Sequence, residues 1–221
     1  MFNKEYLLAE PLILRSEEGI YYRDNSDDLS IIEEFSKGAW SDIDINANDA
    51  VLDLGAHIGL SSRRFLQKSN DVLAVEADPR AAKLIKLNAP NALIRQGLVS
   101  SGEGEGTFYL SSSPSWRQSS NPEDGSLPVT LPKISYTKIV QGRTVIKCDI
   151  EGGERNLPWD KTPSSVRLIG IELHNYRDNK DFIKDFFNIM GTLGFKSRVS
   201  TVTKPSRDED RVFILKRAGS L

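Results

Sequence analysis

The sequence predicts an α/β domain built on a mostly parallel sheet, with helices on both faces. After Asp49, short apolar runs alternate with segments of helical periodicity, a pattern that is typical of a parallel sheet. A glycine-rich turn follows the first buried run, and such turns hold ligands at the carboxyl ends of parallel strands. The last two apolar runs, 195–202 and 211–215, are expected to close the sheet as an antiparallel pair.

Local patterns predict the individual elements. Strands are expected at 12–14, 20–22, 51–54, 72–76, 92–99, 107–110, 129–131, 144–149 and 166–173, before the closing pair. Helices are expected at 29–35, 59–69, 79–88, 135–140 and 181–193. Asp78 followed by Pro79 is a favourable helix start, and Gly194 is a favourable helix end.

Length and composition limit the class of protein. The 221 residues suit one domain (1–221), with 1–50 as an N-terminal extension packed on a core of 51–221. A net charge of −2 argues against nucleic acid as the main partner. Cys148 is the single cysteine, so neither a disulfide framework nor a thiolate zinc site is expected. With no signal-peptide pattern and no apolar run of about 20 residues, we expect a cytoplasmic protein without a membrane partner.

The glycine turn indicates which cofactor the sheet holds. In Val51-Leu-Asp-Leu-Gly-Ala-His-Ile-Gly59 the glycines are separated by three residues, and Asp53 stands two residues before the first. The third glycine of the dinucleotide fingerprint is missing from this turn. A carboxylate here would repel a pyrophosphate but suits an ammonium group, so the motif favours S-adenosylmethionine. Glu76, at the end of the next strand, is placed to bind ribose hydroxyls.

The cofactor residues follow from these positions. Asp53 and the turn backbone are expected to receive the methionine end, and His57 to shape the turn. Glu76 is expected to bind the ribose, and 96–98 to flank adenine. The predicted cofactor site comprises Asp53, Gly55, His57, Gly59, Glu76, Ala77, Gln96, Gly97 and Leu98.

A second group of polar residues follows the later strands. Asp149, Glu151 and Glu154 come after one strand, and His174 comes after the next, beside Glu172. The carboxylates can hold a hard cation such as Mg²⁺, hydrogen-bond an acceptor or the loop itself, or be solvated. His174 is either a structural residue or the general base that accepts a hydroxyl proton. Asp149, Glu151 and His174 are therefore the predicted catalytic residues.

The segment 111–127 is a long polar loop rich in Ser, Pro and Gly, with Trp116 and Arg117 within it. A loop of this length is either a plain connection or a lid over the substrate. An aromatic ring beside a cation suits a sugar or another polar ring.

Four segments together resemble the FkbM-type methyltransferases, a branch of the Rossmann-like S-adenosylmethionine-dependent enzymes. They are Tyr22-Arg-Asp-Asn-Ser-Asp27, Val51-Leu-Asp-Leu-Gly-Ala-His-Ile-Gly-Leu60, Val75-Glu-Ala-Asp-Pro79 and Ile146-Lys-Cys-Asp-Ile-Glu-Gly-Gly-Glu154. The family often has proline where this chain has Ala77, and asparagine where it has His57.

This resemblance implies a class I methyltransferase fold, with a seven-stranded, mostly parallel sheet whose last strand is antiparallel. It implies methyl transfer, frequently to oxygen, with sugar hydroxyls or other small polar molecules as acceptors. Two alternatives stay open from the residues alone: an NAD-dependent oxidoreductase, and a non-catalytic nucleotide-binding protein of the same fold.

Overall fold

A seven-stranded sheet forms the centre of the protein in a computed structural model that describes residues 12–24, 26–110, 127–203 and 210–219. The strands are β1 Ile13–Arg15, β2 Tyr21–Arg23, β3 Ala50–Leu54, β4 Asp71–Glu76, β5 Leu93–Gln96, β6 Leu98–Ser100, β7 Gly104–Leu110, β8 Leu127–Ser135, β9 Val145–Cys148, β10 Leu168–Leu173, β11 Phe195–Val199 and β12 Arg211–Arg217. The α-helices are α1 Asp28–Ser36, α2 Leu60–Phe65, α3 Pro79–Asn88, α4 Tyr136–Ile139 and α5 Lys180–Thr192.

The strand order in the central sheet is β11-β12-β10-β9-β3-β4-β5. Strands β10, β9, β3, β4 and β5 are mutually parallel, whereas β12 is antiparallel to both of its neighbours. The predicted α/β class with an antiparallel last strand is therefore confirmed. Because the parallel strands share one direction, the residues that follow β3, β4, β9 and β10 meet at the same edge of the sheet.

Burial on both faces of the central strands explains why their sequences are continuous apolar runs. Every residue of β9 and β10 is buried, and Val145, Ile146 and Ile169 have no exposed surface. Helix α5 packs on one face through Ile183, Phe186 and Met190, as its helical period predicts. The Phe186 ring meets the Trp159 ring edge to face at 5.4 Å between centroids.

The predicted strand at 92–99 is two strands in two different sheets. The chain turns at Gly97, where φ is +156° and a Cβ atom would lie 2.5 Å from the carbonyl oxygen of Pro132. Strand β5 stays in the central sheet, while β6 joins β7 and β8 in a three-stranded sheet. The expected short strand at 129–131 is part of the longer β8, which pairs with β7 from Leu127 to Lys133 and with β6 from Lys133 to Ser135.

The N-terminal part of the described chain is attached to the core by polar side chains. The Asn88 side chain accepts from the backbone N–H of Tyr21 at 2.7 Å and donates to the carbonyls of Tyr21 and Ile58 at 2.8 Å. Strand β2 is thereby held against the end of α3. Among the described residues, the helices are too short or too polar for any of them to cross a membrane.

Candidate active site

A cavity of about 630 Å³ opens at the carboxyl ends of β3, β4 and β9. This volume lies within the range of about 300–1,000 Å³ that is usual for small-molecule sites. Of the predicted cofactor residues, Gly55, His57, Glu76, Ala77, Gly97 and Leu98 line it, whereas Asp53, Gly59 and Gln96 do not. Of the predicted catalytic residues, Asp149 and Glu151 line it and His174 does not.

The glycine turn brings backbone to the floor of the cavity. Gly55 has φ +72°, and a Cβ atom there would lie 1.7 Å from the carbonyl oxygen of Asp149. Gly59 has φ +92° and precedes α2, with a Cβ position 3.1 Å from the Cα of Ile85. Gly55 therefore allows the turn to pack against the end of β9, and Gly59 allows α2 to pack against α3.

Asp53 is buried beneath the turn and does not face the cavity. One of its carboxylate oxygens accepts from the hydroxyls of Ser61 and Ser62, each at 2.6 Å. The other oxygen lies 3.5 Å from the Nζ atom of Lys147. Two serines of α2 thus turn the Asp53 carboxylate inward, and its contact with the methionine end stays a prediction. Its contacts order the turn.

Glu76 faces the cavity from the end of β4. Its Oε2 atom accepts from the backbone N–H of His57 at 2.7 Å, and its Oε1 atom accepts from that of Asp78 at 2.8 Å. Burial raises the pKa of Glu76 to about 7. These two hydrogen bonds hold the carboxylate in place, and its remaining lone pairs can accept from ligand hydroxyls.

His57 lies on the wall of the cavity in a left-handed backbone conformation, with φ +51°. Its Nε2 atom is 2.7 Å from Nη2 of Arg23, which is itself paired with Asp28 and Asp78. Burial, followed by the charge of Arg23, lowers the pKa of His57 to about 4. The ring is therefore neutral near pH 7.

Part of the cavity wall comes from the three-stranded sheet of β6, β7 and β8. Leu98 of β6 and Phe108 of β7 line the cavity beside Ala77 and Gly97. These apolar groups suit a planar ring. Phe108 was missed from the sequence because the three-stranded sheet was not predicted.

Lys147 is a further lining residue that sequence reasoning did not assign. Its ammonium is buried and donates to the carbonyl oxygen of Gly55 at 2.6 Å. It lies 3.5 Å from Asp53 and 3.7 Å from Asp149. Burial alone would lower the pKa of Lys147, but these two carboxylates outweigh it and raise that pKa. The sequence signal that could have identified Lys147 as a site residue is its position two residues before Asp149, on the strand that pairs with β3.

The acidic residues after β9 have different positions. Asp149 and Glu151 line the cavity, as do Glu172 from β10 and Glu34 from α1. Glu154 is fully buried, and its Oε1 atom accepts from the backbone N–H of His174 at 2.9 Å. Glu154 therefore supports the loop behind the cavity and is not placed to contact an acceptor.

His174 does not line the cavity and lies close to three carboxylates. Its Nδ1 atom is 3.4 Å from Glu154, and its Nε2 atom is 3.6 Å from Glu151 and 3.8 Å from Asp149. Burial alone would lower the pKa of His174, but the three carboxylates raise it to about 10. These carboxylates belong to the segment after β9 and favour the protonated ring. The role of His174 as a general base stays a prediction.

The proposed lid, 111–127 with Trp116 and Arg117, lies outside the described residues except for Leu127, the first residue of β8.

Several solved structures align with this chain. Methyltransferase FkbM from Methylobacillus flagellatus aligns with a TM-score of 0.56 at 15% identity, over 81% of this chain and 47% of that chain. M. jannaschii TYW2 in complex with AdoMet aligns with a TM-score of 0.50 at 13% identity, over 98% and 89%. Precorrin-6y C5,15-methyltransferase from Geobacter metallireducens aligns with a TM-score of 0.48 at 11% identity, over 93% of both chains.

The chain spans about half the length of the FkbM structure. No family model and no curated protein matches the sequence, so membership of the FkbM-type branch stays a prediction. At these identities the FkbM and TYW2 matches show the fold alone. Together with the strand order, they show that the chain has the Rossmann-like fold of class I methyltransferases.

Proposed function

We propose that the protein is an S-adenosylmethionine-dependent methyltransferase that methylates a hydroxyl of a sugar or another small polar acceptor, in the manner of the FkbM-type enzymes. The observation that carries the proposal is the position of Glu76, held by two backbone amides beside the Gly55 turn at the cavity wall. The TYW2 structure, which shares the fold, is a complex with AdoMet. The FkbM structure, which also shares the fold, is described as a methyltransferase.

The charge of the cavity supports this cofactor over a dinucleotide. Among the described residues that line it, the acids are Glu34, Glu76, Asp149, Glu151 and Glu172, and the bases are Lys133 and Lys147. S-adenosylmethionine has a sulfonium and an ammonium group, which a carboxylate-rich wall stabilises. A pyrophosphate would be repelled by the same carboxylates, which disfavours the NAD-dependent alternative.

Different residues of the cavity contact different parts of S-adenosylmethionine. Glu76 binds the ribose hydroxyls, and Leu98 and Ala77 contact adenine beside Gly97. The backbone at Gly55 and the ring of His57 contact the methionine end. Asp53 acts through Ser61, Ser62 and Lys147, and so positions the turn.

The acceptor occupies the end of the cavity that Asp149 and Glu151 line. Its hydroxyl oxygen forms a bond to the methyl carbon as the carbon–sulfur bond breaks, which leaves S-adenosylhomocysteine. Asp149 orients the hydroxyl and Glu151 takes its proton. Glu151 has φ +50°, and a non-glycine residue in this conformation is strained, as residues at functional sites often are.

Calorimetric titration tests the cofactor assignment. We expect S-adenosylmethionine and S-adenosylhomocysteine to bind with one site per chain, and NAD to show no heat of binding. Glu76→Ala should weaken cofactor binding at least about tenfold, since each lost hydroxyl contact is worth about 1 kcal/mol or more. Binding of NAD without S-adenosylmethionine would overturn the proposal.

Transfer of a labelled methyl group to a panel of saccharides and other polyols tests the acceptor class. Glu151→Gln should lower kcat by about 10²–10⁴ while cofactor affinity is retained. Cofactor binding without transfer to any hydroxyl compound, together with transfer to amines, would overturn the O-methylation assignment.

A further inference from the structure

We propose that a divalent first-row metal ion, with Mn²⁺ as the best match, binds at the acceptor end of the cavity through Asp149, Glu172 and His174. Asp149 directly follows β9, Glu172 is the penultimate residue of the adjacent parallel strand β10, and His174 directly follows β10. One ligand atom from each lies within 4.8 Å of the others. Two atoms that are each about 2.1 Å from one ion are about 3.0–4.2 Å apart, so small side-chain movements suffice.

The imidazole of His174 supplies the independent observation. The residue is 2% exposed, and neither ring nitrogen makes a hydrogen bond to the described residues. Its Nε2 atom is 3.6 Å from Glu151 and 3.8 Å from Asp149, whereas a charge-assisted hydrogen bond is about 2.7–2.9 Å long. A buried ring nitrogen that faces carboxylate oxygens across this longer gap suits an ion between them.

Glu154 orients the ring for that role. It accepts from the His174 backbone N–H at 2.9 Å and lies 3.4 Å from Nδ1. Histidine ligands of metals usually pair their second ring nitrogen with a carboxylate or carbonyl, which fixes the other nitrogen toward the ion. The ion therefore takes Nε2, and the proton on that nitrogen passes to solvent.

The donor set distinguishes among metals. Two carboxylate oxygens with one imidazole nitrogen suit Mn²⁺ better than Mg²⁺, which prefers oxygen ligands throughout. Asp149 and Glu172 line the cavity, so the ion would face the bound acceptor. That orientation toward an acceptor rests on the proposed function, whereas the metal site itself does not.

Mn²⁺ binding to the chelator-treated full chain tests the site without cofactor or acceptor. Electron paramagnetic resonance should detect one bound Mn²⁺ per chain, and its pulsed form should detect coupling to one imidazole nitrogen. Glu172→Gln and His174→Gln should each weaken Mn²⁺ binding at least tenfold, and His174→Gln should remove the nitrogen coupling. Glu33→Gln, an exposed acid on α1, is the matched control and should bind Mn²⁺ like the wild type.

Wild-type protein that binds no stoichiometric Mn²⁺, or binds it without nitrogen coupling, overturns the site. Because the wild-type spectrum tests the metal site directly, the test stays valid even if a variant fails to fold. Titration of S-adenosylhomocysteine into the same sample separates the two proposals. Retained cofactor binding without Mn²⁺ overturns the metal site alone, and Mn²⁺ binding without cofactor binding overturns the proposed function alone.

Discussion

The guanidinium of Arg23 donates to Nε2 of His57 at 2.7 Å, and this contact determines the state of the histidine ring. Arginine offers only donors, so Nε2 must accept and the ring proton must be on Nδ1. The lowered pKa of His57, about 4, agrees with a neutral ring. Nδ1 is buried and has no hydrogen-bond partner among the described residues. Arg23 therefore selects the neutral tautomer of His57 whose proton is on Nδ1.

Loss of Arg23 should destabilise the protein strongly. Its buried side chain pairs with Asp28 at 2.7 Å and Asp78 at 3.0 Å. Arg23→Met leaves buried carboxylates without their cation, so the free energy of unfolding should fall by about 3–5 kcal/mol. Urea denaturation measures this change. The control Lys37→Met removes a cation from an exposed pair with Glu33 and should leave stability nearly unchanged; equal effects would contradict the role of Arg23.

Cofactor affinity should rise with pH because burial raises the pKa of Glu76 to about 7. The ionised carboxylate is the stronger acceptor for ribose hydroxyls, so affinity for S-adenosylhomocysteine should increase about tenfold between pH 6 and pH 8. His57, with a pKa of about 4, stays neutral over this range. Calorimetry on wild type and Glu76→Gln measures the effect, and the variant should show a flat profile.

The raised pKa of Glu76 should lower the stability of the folded protein as the pH rises, whereas it should increase cofactor affinity. The unfolded chain ionises Glu76 near its ordinary pKa of 4.5, and the folded chain ionises it near 7. The stabilisation from this group is therefore fully present below pH 4.5 and is lost as the pH rises to 7. Glu76→Gln should reduce the fall in unfolding free energy over this window. An identical pH profile in wild type and variant contradicts the raised pKa.

Gly55 and Gly142 form a matched pair for testing the turn. Both have φ near +70°, at +72° and +74°, but a Cβ at Gly142 meets nothing within 4 Å. Gly142→Ala should cost about 1–2 kcal/mol from backbone strain alone. Gly55→Ala should cost more and abolish cofactor binding, since its methyl group would overlap the Asp149 carbonyl. Similar losses in both variants, with cofactor binding retained, would argue against that close contact.

Asp53 should act on cofactor binding through stability of the turn. Asp53→Asn removes a buried charge beside Lys147 and weakens the acceptor for Ser61 and Ser62, so the unfolding free energy should fall by about 3 kcal/mol. Asp71→Asn, on β4, breaks a half-exposed pair with Arg143 and should cost less than about 1 kcal/mol. Thermal melts with and without S-adenosylhomocysteine measure both. Full stability in Asp53→Asn together with lost binding would instead indicate direct contact with the ligand.

The sequence by itself determined the succession of strands and helices along the chain and the place of the glycine turn. Apolar runs, helical periods and glycine positions are local signals, and the edge of a parallel sheet then brings Glu76 and Asp149 to one cavity. The break at Gly97 between β5 and β6 could not be predicted from local signals. The three-stranded sheet depends on pairing between β6 and β8, which are separated along the chain.

Only the tertiary structure decided the chemical state of the site residues. Asp53 was expected at the ligand and is turned toward Ser61 and Ser62, while Lys147 was unassigned and lies in the cavity wall. His174 follows β10 as the sequence predicts, but Glu151 and Glu154 lie 3.6 Å and 3.4 Å from its ring nitrogens and raise its pKa. A pKa depends on burial and on charges a few ångströms away, and these neighbours come from different strands. Local sequence patterns contain no such distances.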